Sequence, residues 1–359
     1  MKYIDEYRDK ALAEKIAREI DRSSTGPLSF MEVCGGHTMA VRKFGIPSLL
    51  PDRIRLLSGP GCPVCVSSNR FIDRSVALSR RDDVIITSFG DLIRVPGSSS
   101  SLEKEKAKGA DIRVVYSVLD ALRVAKDNPL KRIVFLGIGF ETTAPTSAAA
   151  IRKAFEQKMN NFFLLSAHKI MPPAMEALAD EGVKLNGYIA PGHVSTITGT
   201  GIYKNIPEKY GLGCVISGFE PVDLLQSIYM LVKQCEENNP KVEIQYKRAV
   251  KEDGNRKALQ LLQEVFVLAD DWWRGLGVLK NSGLQLRETY EQFNAFTMID
   301  VDVEETKEPK GCICGEILKG LKNPKDCKLF SAVCNPSLPV GACMVSNEGA
   351  CNAWYRYNR

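Results

Sequence analysis

The chain has 359 residues, 44% hydrophobic and 25% charged, with a formal net charge of +5. That length is too great for one ordinary core and the balance is that of a globular chain, so two or three domains are expected. Lys and Arg are interleaved with Asp and Glu without a long basic run, so no nucleic-acid partner is expected.

The N-terminal stretch MKYIDEYRDKALAEKIAREID is charged from its second residue and carries a helical periodicity, not the apolar core of a signal peptide. The longest apolar run, residues 133–140, is too short to span a bilayer. The expectation is a cytoplasmic protein with no membrane partner. In a reducing compartment, eleven cysteines point to metal or redox chemistry before structural disulfides.

Short β-branched runs predict strands at 53–57, 84–87, 112–116 and 133–137, with a helix at 120–126. The alternation resumes with strands at 162–166, 188–190 and 214–217 and a helix over 221–235. Residues 250–300 are expected to be mainly helical, with Trp272 and Trp273 split between core and solvent. The fold class is α/β: two α/β units with mostly parallel sheets plus a helical, cysteine-rich iron–sulfur domain. The expected boundaries are 1–48 (N-terminal helix and Cys34 loop, packing with the C-terminal domain), 49–155 and 156–245 (the α/β units) and 246–359 (the cluster domain).

Six cysteines crowd between Cys312 and Cys351, in a tail rich in Gly, Pro and Asn that cannot easily build its own apolar core. An all-thiolate set suits zinc or an iron–sulfur cluster, and a bound metal would supply the missing stability. No C-x-x-C pair of a zinc ribbon occurs in the tail, and Cys312 and Cys314 are too close to share one ion comfortably. Earlier in the chain, Cys62 and Cys65 form a C-P-V-C loop between a predicted strand and a predicted helix at Asn69. The helix dipole there would favour thiolate, and the spacing lets the pair close into a disulfide.

Cys34 and His37 lie in FMEVCGGHTMA, where two glycines let the backbone approach a ligand closely. Both side chains could reach one metal or act as nucleophile and base. Cys214 and Cys235 read as small core residues, and His168 as structural. GIGFETT lacks the third glycine of a dinucleotide loop, and no G-K-[ST] occurs, so nucleotide binding has no support. Glu141, His193, Asp91 and Arg94 sit in loops after strands, where each could face a cleft or fix its own loop.

The segments EVCGGHTM, GPGCPVC, FGDLIRVPGS, GFETTAP, PGHVSTI and GFEPVD, with the tail ending GACMVSNEGAC, resemble those of the HypD family of [NiFe]-hydrogenase maturation proteins. The resemblance runs from about residue 30 to the end. It implies a scaffold for assembly of the Fe(CN)2CO unit, working with the small chaperone HypC and receiving cyanide from HypE, which HypF charges; the hydrogenase large subunit is served indirectly. It implies one [4Fe-4S] cluster on Cys312, Cys327, Cys334 and Cys351, and redox-active pairs Cys62/Cys65 and Cys314/Cys343. Cys34 would hold the iron that receives CN and CO, with His37 close by; Glu348, three residues before Cys351, matches an acidic position in the family's tail and is a candidate cofactor-binding group, and Glu141 and His193 are candidates to face the cleft. Many members carry a second histidine where this chain has Met39, whose thioether cannot act as an acid or base, so Met39 receives no role. The alternatives are a stand-alone iron–sulfur thiol–disulfide oxidoreductase and a binding module with a structural zinc tail.

Overall fold

The computed structural model describes residues 5–357. Eleven strands follow in chain order: β1 Leu28–Glu32, β2 Ile54–Ser58, β3 Val84–Ser88, β4 Ile112–Val114, β5 Arg132–Gly139, β6 Phe162–His168, β7 Gly187–Pro191, β8 Gly213–Ser217, β9 Val242–Ile244, β10 Phe266–Trp273 and β11 Gly277–Leu286. They form a five-stranded sheet in the order β2-β1-β7-β8-β9, a four-stranded sheet in the order β4-β3-β5-β6, and the hairpin β10-β11. Both larger sheets are parallel throughout. Their central strands are buried on both faces, which is why β3, β5 and β8 read as continuous apolar runs.

The helices begin where the sequence supplies caps. In α1 (Lys10–Ser23) the Asp9 side chain accepts the Leu12 amide at 2.8 Å, and Ala13, Ala17 and Ile20 form the buried stripe. The helix Val118–Asp127 starts with a capping box of Ser117 and Asp120. Three further helices shape the site: α2 (Gly35–Lys43), the single turn α3 (Pro63–Val66) and α4 (Asn69–Ser79).

Sheet membership does not follow the expected boundaries. A cut at 155/156 would part β5 from β6, which pair in register from Ile133↔Phe162 to Gly139↔His168. A cut at 48/49 would part β1 from β2, paired from Leu28↔Ile54 to Glu32↔Ser58. The chain enters the five-stranded sheet with β1 and β2, builds the whole four-stranded sheet, then returns with β7 to β9. Apolar runs mark strands but not their neighbours, because pairing is decided by contacts far apart in sequence. The N-terminal segment also reaches the C-terminal part: α2 packs against the last helix, Ala350–Tyr357.

Residues 256–265 are helical as expected, but 266–286 form the hairpin instead of a helix. Ile170 N–H donates to Ser282 O at 3.0 Å, anchoring β11 beside the end of β6. Trp273 is fully buried and donates from Nε1 to Ser282 Oγ at 2.9 Å, while Trp272 is half-buried. Cys214 is buried on β8, as expected of a core residue, and Cys235 is half-buried near the end of helix Pro221–Glu236. Among the described residues no helix is long and apolar enough to cross a membrane.

Candidate functional site at the meeting of two sheets and the cysteine tail

In open parallel sheets, side chains that do chemistry sit on loops beyond the carboxyl ends of the strands, above all where strand order reverses. In the five-stranded sheet that reversal lies at β1, whose neighbours are β2 and β7. Cys34 and His37 follow β1, Cys62 and Cys65 follow β2, His193 follows β7 and Phe219 follows β8. From the four-stranded sheet, Asp91 and Arg94 follow β3 and Glu141 follows β5. Arg94 Nη2 donates to Val345 O at 2.7 Å, so this sheet is tied to the tail as well.

Cys34 is the N-cap residue of α2, with the backbone amides of Gly36 and His37 on the side of its sulfur but no cap hydrogen bond formed. Those amides favour thiolate, but burial and the neighbouring Glu348 outweigh them and push the thiol up to about 12. Metal-free, Cys34 therefore holds its proton. Glu348 lies against Gly35, where an added Cβ would stand 2.6 Å from Glu348 Cβ. Burial, with Asp91 nearby, raises the Glu348 carboxyl as well. Gly61 packs its backbone directly onto that of Cys34, and Gly35 N–H donates to Gly61 O at 3.0 Å. No side chain fits at 61, so the C-P-V-C loop and the Cys34 loop form one unit.

His37 is fully buried, its Nε2 facing Ser217 O at 3.2 Å and Gly218 O at 3.0 Å. Two carbonyl acceptors require the proton on Nε2, so Nδ1 carries the lone pair, and it has no protein partner. Burial lowers the ring to about 4, so it is neutral at ordinary pH. Phe219 lies between the two histidines, 4.6 Å from the His37 ring and stacked at 4.1 Å on His193. A cavity of about 770 Å³ opens here, lined among others by Gly36, Met39, His193, Phe219, Tyr246 and Glu348.

Cys62 and Cys65 are 3% and 0% exposed, joined across one turn by the Cys65 amide donating to Cys62 O at 3.0 Å. Burial and the hydrogen-bonded Cys62 thiol raise Cys65 well above its ordinary value, with Arg274 pulling the other way. The expected thiolate is thus not favoured at Cys65, because α3 is a single turn inside the core. Arg274 is the clamp on this loop. Its guanidinium donates to Cys65 O (3.0 Å), Ser67 O (2.8 Å), Asn69 Oδ1 (2.7 Å) and Glu308 Oε2 (2.8 Å).

Cys314 and Cys343 form a disulfide with Cα atoms 6.3 Å apart, separating them from the other tail cysteines. The segment Ala342–Met344 packs on α3, so this disulfide lies beside the C-P-V-C turn. Cys312, Cys327, Cys334 and Cys351 remain, the last sensing the charges of the other three. Val340 N–H points at Cys334 Sγ (3.3 Å), and an added Cβ at Gly341 would stand 2.5 Å from Cys312 Sγ. A backbone amide on sulfur and a hollow bordered by glycine fit a thiolate-bound cluster. Among the described residues no three His, Cys, Asp or Glu side chains are gathered closely enough to hold a single metal ion.

Glu141 is buried, its Oε1 accepting the Met171 amide at 3.1 Å and its Oε2 without a partner. Burial raises it to about 7. Arg94 is the loop-fixing residue of its segment, and His168, hydrogen-bonded to Ser147 and Ser166, is structural. Sequence reasoning missed Arg274 and Phe219, and also Glu32. Glu32 is 2% exposed, accepts from Thr38 Oγ1 at 2.8 Å and is pushed up to about 8 by burial. A charged residue ending an apolar strand two positions before Cys34 was the available signal.

The family model HypD, described as the hydrogenase formation hypA family, matches residues 9–358. The chain is 46% identical over 370 residues to hydrogenase maturation factor HypD2 of Bradyrhizobium diazoefficiens, covering 100% of this chain and 97% of that protein. It is 46% identical over 353 residues to a putative hydrogenase expression/formation protein of Methanocaldococcus jannaschii, covering 98% of each. With hydrogenase maturation factor HypD of Escherichia coli it shares 41% over 368 residues, covering 100% of this chain and 99% of that protein. The residues that meet at the sheet ends are those of the segments that suggested the resemblance, and the chain belongs to the HypD family of hydrogenase maturation factors.

Proposed function

We propose that this chain is the scaffold on which the Fe(CN)2CO unit of [NiFe] hydrogenase is assembled, with Cys34 as its iron ligand. The observation that carries the reading is the convergence of Cys34, the C-P-V-C pair and the cysteine tail where two sheets present their carboxyl ends. The iron is cargo. Cys34 loses its proton to bind it, and the amides of Gly36 and His37 then stabilise the thiolate charge. A second thiolate from HypC would complete the cradle, and HypE, charged by HypF, would bring cyanide; the cavity beside Gly36 and His193 is the approach.

His37 Nδ1 is a free acceptor three residues after Cys34, its tautomer fixed by two carbonyls. Glu141, raised by burial to about 7, is a buried carboxyl that can take up or release a proton near neutral pH. Oxidation of Cys62 and Cys65 to a disulfide would release two electrons and two protons for ligand attachment. Cys312, Cys327, Cys334 and Cys351 would hold a [4Fe-4S] cluster, which when bound exchanges single electrons.

A stand-alone oxidoreductase would have to present Cys62 to a client's disulfide, and at 3% exposure it does not. The test is infrared spectroscopy of the protein co-expressed with its maturation partners and purified anaerobically. Bound CN and CO stretching bands are the expected result, and a complex without them overturns the proposal.

A further inference from the structure

The loops that turn cysteines inward turn lysines outward. Between residues 310 and 340 there are five lysines (Lys310, Lys319, Lys322, Lys325, Lys328) and two carboxylates (Glu316, Asp326), a net +3 out of the whole chain's +5. Lys319 is spent on Glu181 at 2.8 Å. Lys310, Lys322, Lys325 and Lys328 are exposed, and none has an ion-pair partner among the described residues. Lys325 Nζ lies 5.8 Å from the Trp354 ring, beside the helix that carries Cys351.

The same segment also exposes apolar side chains. Leu321, Val333 and Leu338 are 56%, 58% and 69% exposed. Val333 and Leu338 belong to loops whose backbone frames Cys334. Ser331 N–H donates to Cys334 O at 3.0 Å below the tip that carries Val333, and the turn Asn335–Leu338 leads into the Val340 amide on Cys334. Lys310 adjoins Gly311, whose carbonyl lies 3.9 Å from Cys327 Sγ. Exposed apolar groups interspersed with unpaired like charges along one segment suit a transient interface, in which charge steers the encounter and apolar contact orients it.

We propose that this outer face of the cysteine tail docks a small acidic one-electron carrier protein. The inference rests on the reading of the four inner thiols as cluster ligands, because a buried redox centre under a charged, weakly apolar face needs only brief, low-area encounters. Charge complementarity chooses an acidic partner, and the thiols directly beneath choose an electron carrier over other acidic proteins. Opening the Cys314–Cys343 disulfide breaks one S–S bond and takes up two electrons and two protons. The carrier supplies the electrons in two encounters, oxidised by one electron each time, and solvent supplies the protons.

The probe is a reduced acidic [2Fe-2S] ferredoxin mixed with the anaerobic holoprotein, its oxidation followed by stopped flow. For Lys322→Glu/Lys325→Glu/Lys328→Glu the second-order rate constant should fall about tenfold or more, as should the wild-type rate on going from low to high salt. Val333→Asp should slow it as well. Reduction by dithionite should be equal in all forms, showing the variants folded and loaded. Carbodiimide cross-links, mapped by mass spectrometry, should join ferredoxin carboxylates to Lys310, Lys322, Lys325 or Lys328. A loaded charge-reversed variant oxidising ferredoxin at the wild-type rate, or cross-links only elsewhere, overturns the docking face. Wild-type protein lacking iron and visible absorbance overturns the cluster reading itself, and the carrier with it.

Discussion

The Cys34 junction and the cysteine tail are held by opposite means. Cys34 stands at the end of a central strand, its neighbour β2 delivers Gly61 onto its backbone, and Arg274 ties the C-P-V-C turn to the hairpin. The backbone there is held by sheet ladders and buried hydrogen bonds made without metal. The tail is built of short turns, with Cys334 in a loop closed by Ser331 and Leu329 and apolar Val333 and Leu338 facing water. A site made by ladders exists before its ligand arrives; one made by turns around thiols depends on its ligand for rigidity.

Metal removal should sharpen this contrast most strongly. Anaerobic chelation of iron should raise amide exchange in residues 310–341 by about a thousandfold, while β1, β5 and β8 keep their protection, as read by hydrogen–deuterium exchange mass spectrometry. Equal loss in sheets and tail would show that the junction also depends on metal.

Next in size is Arg274→Met, which leaves the carbonyls of Cys65 and Ser67 and the Asn69 side chain without their buried donor. It should cost about 2–4 kcal/mol, read by urea unfolding followed through Trp fluorescence. Gly61→Ala drives a methyl into the Cys34 backbone. It should lower iron retention at Cys34 about tenfold while leaving the cluster absorbance intact, since the fault is confined to the junction.

The smallest effect concerns pH. Burial lifts Glu141 from 4.5 to about 7, so the folded state keeps a proton that the unfolded state releases. Its contribution is complete below 4.5 and is lost as pH rises to about 7. Glu32, lifted to about 8, acts in the same sense. His37, lowered to about 4, acts oppositely, stabilising above 6.5 and failing as pH falls to 4. Relative to wild type, Glu141→Gln should therefore gain in melting temperature from pH 4.5 to 7 and gain no further above it. A difference that does not change with pH would mean that Glu141 is ionised in the folded state.

Much of the scaffold was legible because buried parallel strands are written as local apolar runs: those at 84–87, 133–137, 162–166 and 214–217 lie within β3, β5, β6 and β8. The division of the chain was not, since nothing local says that β2 pairs with β1 and β7 with β1's other edge. The hairpin was missed because Trp272 and Trp273 were read on a helical period, although the glycines at 275 and 277 were a turn signal. Cys34, His37, Cys62 and Cys65 were legible as reactive types in glycine-rich loops. Arg274 and Phe219 were not, since an arginine in a hairpin turn or a phenylalanine in a loop has no function until the fold places it.

The most direct test of the scaffold reading is infrared spectroscopy of Cys34→Ala co-expressed with its partners, alongside iron analysis. Loss of the CN and CO bands with cluster iron and visible absorbance retained is the expected result. Bands that persist in the variant would contradict Cys34 as the iron ligand.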